Sequence, residues 1–158
     1  MGERLRAGFA AALLLWPAGA GAAEVEWNLS QREGRPYLSG MPRESEVDNE
    51  VWAHCRADGA IDVGAGAESH VGRGAGEAVT LKLASGRKKA TLTGISREST
   101  NTQMTGGIEL RATVGRDHPL FAVLATGKPI FVSGPIKKST WPVKELKAKV
   151  AAFLRACK

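Results

Sequence analysis

The chain reads as a mainly β, α+β domain, an antiparallel β-sandwich or curled meander with a short helix and a C-terminal amphipathic helix. Three observations predict this class. First, apolar and polar residues alternate repeatedly between Glu24 and Val114, which is the pattern of strands with one wet face. Second, the period changes in the last stretch, Thr140 to Lys158: Val143, Leu146, Val150, Phe153, Leu154 and Cys157 recur at spacings of three and four, one apolar face of a helix over 142–157. Third, there are two cysteines in the chain, Cys55 and Cys157, and both fall on apolar faces. A Cys55–Cys157 disulfide is therefore expected to pin the helix to the β-rich body.

The start of the chain supports that bridge. Glu3, Arg4 and Arg6 precede an apolar run from Gly8 to Trp16, Pro17 breaks the run, and small residues fill 18–23. This is the layout of a secretory signal peptide over 1–22, cleaved after Ala22 with Ala23 as the alternative. The run is far shorter than the roughly 20 residues of a membrane span. Residues 23–158 then form one domain, exported to the periplasm or beyond, and the alanine-rich signal suits a bacterium. An oxidising compartment preserves disulfides. The bridge would close a 102-residue separation, worth roughly 4–5 kcal/mol in the chain-entropy account.

In chain order, Val25, Trp27 and Leu29 alternate with Glu26 and Asn28 as a first strand. A turn at Gly34 leads to a short partner, Pro36 to Ser39, and Met41 to Asn49 is polar. Val51, Ala53 and Cys55 alternate with Trp52, His54 and Arg56. Asp58-Gly59 is a hairpin turn before Ile61, Val63 and Ala65. Glycine is dense from Gly64 to Glu77, which reads as a flexible loop. Val79, Leu81 and Leu83 form the next strand, Ser85-Gly86 turns the chain, and Lys89 to Ile95 returns. Ile108, Leu110, Ala112 and Val114 alternate against Glu109, Arg111 and Thr113. Asp117 is expected to cap a short helix through Thr126, with Pro119 in its first turn. Lys128 to Ser133 is a strand, and Thr140 is expected to cap the last helix, with Pro142 in its first turn. Leu81, Leu83, Leu110, Phe153 and Leu154 are the predicted core; Lys82, Arg111 and Lys147 are predicted to be exposed. Trp27, Trp52 and Trp141 read as core or staple residues.

The segments Leu120–Lys128, Ile130–Gly134 and Phe153–Cys157 resemble small exported proteobacterial proteins, the invasion-associated locus B proteins and a periplasmic accessory protein of type VI secretion. The resemblance implies the same fold class. It departs after Gly134, where Pro135 and two lysines follow. Function is not carried by a shared fold.

Charge is uneven. Residues 24–127 hold 12 basic and 14 acidic side chains, whereas 128–158 hold 8 basic and 1 acidic. Lys137, Lys138, Lys144, Lys147 and Lys158 thus form a basic face, suited to an anionic envelope component or another envelope protein. Nucleic acid is disfavoured, because no aromatics interleave the basic residues. Glu44, Glu46, Asp48 and Glu50 lack the pattern of a calcium loop. His54 and Cys55 are strand neighbours that point to opposite faces, which disfavours a shared metal. No cofactor motif is present, since the glycines at 64, 66, 72, 74 and 76 make neither a phosphate loop nor a dinucleotide fingerprint. The function expected is a non-enzymatic exported binding or accessory module. The alternatives are a loop-based hydrolase using His70, beside Ser69 and Glu68, or His118, and an inhibitor of cell-wall lytic enzymes that presents Gly64–Glu77.

Overall fold

The computed structural model describes residues 25–42, 50–66, 71–99, 107–135, 139–141 and 143–158. The described strands are β1 (Val25–Arg32), β2 (Arg35–Pro42), β3 (Val51–Cys55), β4 (Ile61–Ala65), β5 (Ala75–Ser85), β6 (Lys88–Glu98), β7 (Ile108–Val114), β8 (Ile130–Ser133) and β9 (Ser139–Trp141). Helix α1 (Pro119–Leu124) lies between β7 and β8, and α2 (Leu146–Ala156) follows β9. All strands join one sheet in the order β1-β2-β3-β4-β7-β6-β5-β8-β9, and every pairing is antiparallel. The described residues are mainly antiparallel β, as the alternation predicts, with two helices.

The alternation also fixes which face is wet. Register aligns Leu29 with Leu38 and Ala53, and Cys55 with Ile61 and Val114, so these residues line the inside of the curled sheet. Leu81, Leu83, Leu92, Leu110, Ile130 and Val132 continue that core. Gly40 keeps the first strands close, because a Cβ there would lie 3.0 Å from the Trp27, Val25 and Val51 side chains. The sheet curls until its two ends approach: Trp27 on β1 meets Trp141 on β9 edge-to-face at 6.3 Å. Both rings are buried, as expected.

Helix α2 sits against β1 and β2 and also touches α1. Leu146, Val150, Phe153 and Cys157 are buried beneath it. Leu154, predicted to be core, is only half-buried. Lys149 reaches across and donates a hydrogen bond to the Trp27 carbonyl at 2.6 Å. Arg116 donates to the Leu154 carbonyl, satisfying a group that the end of the helix leaves open. The disulfide joins Cys55 on β3 to Cys157, with Cα atoms 5.5 Å apart.

Several local expectations fail for physical reasons. The last helix begins at Leu146, four residues after the predicted start, because Thr140 and Trp141 are held as strand by pairing with Phe131 and Ile130. Glu145 takes the N-cap position in a left-handed conformation, with φ of 61° and no side-chain cap. In α1 the cap is His118, not Asp117. Pro119 has no N–H, so the first donor needing an acceptor is Leu120, and His118 Nδ1 takes it at 3.2 Å. The simple meander fails after β4, which pairs with β7 rather than with its sequence neighbour β5.

The glycine-rich stretch makes that crossing, and its described part is fastened. Gly64 and Ala65 belong to β4, and Ala75 to Glu77 belong to β5. Ser96 Oγ donates to the Val71 carbonyl at 2.6 Å and accepts from the Gly74 N–H at 2.8 Å. Val71 is fully buried. The Glu77 carboxylate accepts the N–H groups of Arg73 and Ala75. The Arg73 N–H foremost, then Glu77's own and that of Ala75, hold the Glu77 carboxyl below its ordinary value near 4.5. A lowered folded value means that this fastening is complete above about pH 4.5 and is lost as pH falls through the folded value. Hydrogen-exchange protection of Arg73 and Ala75 should therefore hold down to about pH 4.5 and fall on further acidification, and Glu77→Gln should remove that dependence. Protection that stays constant in the wild type would contradict it.

Candidate functional site

The basic residues expected to act together are placed as follows. Lys144, Lys147 and Lys158 are exposed beside Arg155, on or next to the outward face of α2. Lys137 and Lys138 lie outside the described residues, as do Glu44, Glu46, Asp48, Glu68, Ser69 and His70. Glu50 is buried. His118 is committed to the α1 cap. His54 lies on the outer face of β3, 3.1 Å from the Arg32 carbonyl through Nε2, with its ring edge-on to Tyr37. Among the described residues no three metal-ligating side chains converge.

The best-built outward feature is one that the pattern placed in the core or left as wet surface. Trp52 points outward from β3, because Val51, Ala53 and Cys55 take the inner face. Its register partner on β4 is Gly64, and the indole lies across that glycine: a Cβ on Gly64 would stand 2.1 Å from Trp52 Nε1. With no side chain in the way, the indole crosses β4 and donates from Nε1 to Glu109 Oε2 on β7 at 2.9 Å. Glu109 is 1% exposed. Its other oxygen accepts from Arg111 Nε at 2.7 Å, and Arg111 Nη2 donates to the Glu98 carbonyl at 3.3 Å. The guanidinium also stands over the indole, 5.9 Å from its centre. Tyr37 stacks beside Trp52 at 6.2 Å, and Arg32 stands over Tyr37 at 5.7 Å. The outcome is a row of flat groups, Arg32, Tyr37, Trp52 and Arg111, locked at one end by a buried carboxylate. Arg111, expected to be exposed, is half-buried for this reason.

A cleft of about 450 Å3 opens next to this row, lined chiefly by Trp52, Asp62, Thr93, Ile95, Arg111 and Thr113. It exists because β6 and β7 pair only from Ile95↔Arg111 to Glu98↔Ile108 and then part. At the fork Gly94 packs on β7 so closely that a Cβ would fall 2.1 Å from the Arg111 carbonyl oxygen. Helix α1 packs against β6 and β5. Asp62 accepts from Thr113 Oγ1 at 2.7 Å and faces Arg56 at 3.7 Å. The cleft thus offers an indole wall, an exposed isoleucine, two hydroxyls, a carboxylate and a guanidinium. Its volume is in the range of small-ligand sites.

Sequence reasoning missed Glu109 and Arg111 as a pair. The signal was present as opposite charges two apart on one strand face, with a tryptophan on the polar face of another strand. Only the β3–β4–β7 register shows that the glycine between them lets them meet. Comparison of the chain with protein-family models, curated proteins and solved structures returns no match.

Proposed function

We propose that the protein is an exported, periplasmic, non-enzymatic binding module that holds a saccharide ring in the outer cleft against Trp52. The observation that carries this reading is the indole fixed across Gly64 by the buried Glu109. A large aromatic side chain held half-exposed by a dedicated hydrogen bond is pre-organised for contact, so little ordering entropy is lost when a ligand arrives. The apolar face of a sugar suits the indole, and its hydroxyls suit Asp62, Thr93, Thr113 and Arg111. The disulfide supports export. No helix of the described residues is long and apolar enough to cross a membrane. Of the two histidines a hydrolase would use, His118 is engaged in the α1 cap, which favours a binder, and His70 lies outside the described residues. The exposed lysines of α2 suit an anionic envelope partner as a second reading.

Calorimetry with soluble glucose- and N-acetylglucosamine-based oligosaccharides tests the cleft. Trp52→Ala should weaken binding about tenfold or more. Gly64→Ala should do the same by displacing the indole, with the thermal midpoint recorded as a fold control. Affinity unaltered by both substitutions would reject the site.

A further inference from the structure

A second outward surface lies on β5, β6 and β8. Register places Lys89, Ala84, Phe131 and Thr140 in one cross-strand row, and Thr91, Lys82 and Ser133 in the next. Leu83, Ala90 and Val132 occupy the opposite face, inside the core, so these seven residues face outward. Phe131 is 60% exposed, more than any other large apolar side chain among the described residues. A shallow groove of about 180 Å3 runs between Phe131, Lys82 and Lys89.

The charge around it is of one sign. Residues 78–96 contain Lys82, Arg87, Lys88 and Lys89 and no acidic residue. Lys128 lies against the β5–β6 turn, with its Cδ 3.4 Å from where a Cβ on Gly86 would be. All five basic side chains are exposed, and among the described residues none of them makes an ion pair. Lys82 and Lys89 are diagonal neighbours on one face of β5 and β6, near enough for their like charges to repel, and a negative partner relieves that repulsion. The groove is smaller than the roughly 300 Å3 at which small-molecule sites begin. Apart from the charges it offers only the hydroxyls of Thr91 and Ser133, too few to read an acidic polysaccharide. A projecting aromatic ring ringed by lysines suits a layer with phosphate at its surface and hydrocarbon just below.

We propose that this face docks the protein on an anionic lipid bilayer, with Phe131 entering the headgroup boundary and Lys82, Lys89 and Lys128 meeting lipid phosphates. It is separate from the cleft at Trp52 and from the lysines of α2.

Co-sedimentation of the oxidised protein with phosphatidylcholine vesicles, with and without phosphatidylglycerol, provides the test. Binding should require phosphatidylglycerol and weaken steeply with salt. Each basic residue at a bilayer surface contributes about fivefold in affinity, so Lys82→Glu/Lys89→Glu should lower it by about 25-fold or more. Lys144→Glu/Lys147→Glu should keep most of the affinity. Phe131→Trp should give a new fluorescence signal that brominated acyl chains quench. Absence of binding to phosphatidylglycerol vesicles at low salt would overturn the proposal. So would a loss seen only with the Lys144 and Lys147 substitutions, or retention on an acidic polysaccharide column without vesicle binding. Wild-type thermal midpoints in the variants guard against unfolding, and the unquenched Phe131→Trp signal would by itself reject insertion.

Discussion

Replacing Cys157 by serine should lower the thermal midpoint by about 15 °C. The bridge spans a sequence separation of 102 residues and fastens the end of α2 to a strand in the middle of the sheet. Without it the unfolded chain regains the freedom of a long loop, a difference of roughly 4–5 kcal/mol. Total stability of a domain this size is of the same order, so the loss is a large fraction of it. Both sulfurs are buried, and alkylation of the native protein should therefore find no thiol until reduction. Cys55→Ser should cost about as much as Cys157→Ser, and the double substitution little more, because one bond is lost in each case. Two thiols titrating in the native protein would contradict this account.

Phe153→Ala should cost about 3–5 kcal/mol, a fall of about 10–15 °C in the midpoint. Phe153 is fully buried, and its ring lies 6.2 Å from that of Phe121 on α1. The substitution empties the contact that joins both helices to the sheet. Its effect should spread beyond the cavity, because α2 packs on β1 and holds the Trp27 carbonyl through Lys149. Faster amide exchange in β1 is the expected local sign. The exposed Ala151, half a turn away on the other face, should tolerate serine with little change. Near-wild-type stability in Phe153→Ala would mean that α2 does not close the sheet.

The parts that were legible from sequence are those where period alone decides. Val25, Trp27, Leu81, Leu83 and Leu110 are inside because alternation leaves them no other face. The pairing of Cys55 with Cys157 followed from there being two cysteines and two apolar faces. What was hidden depends on which strands are neighbours. Thr140 and Trp141 look like the lead-in to a helix until Ile130 and Phe131 pair with them. Glu109 looks like ordinary polar surface until β7 lies beside β4 and the bare backbone of Gly64 brings Trp52 within reach. The basic surface around Phe131 is hidden in the same way, since Lys82 and Lys89 are far in sequence from Lys128 and come together with it only through the β5–β6 and β5–β8 pairings. The excess of basic over acidic residues in 128–158 points to α2, whereas Arg87, Lys88 and Lys89 sit in a stretch whose wider surroundings are balanced in charge.

The claim that Trp52 is the recognition group can be measured directly from the indole N–H signals of the folded protein. Trp27 and Trp141 are core residues, whereas Trp52 is fixed by Glu109 at the mouth of the cleft. Titration with soluble cell-wall glycan fragments should shift the Trp52 indole signal and the Arg111 Nε signal bonded to the same carboxylate, and leave the indoles of Trp27 and Trp141 in place. An unmoved Trp52 signal at saturating fragment, or shifts confined to the lysines of α2, would contradict the account.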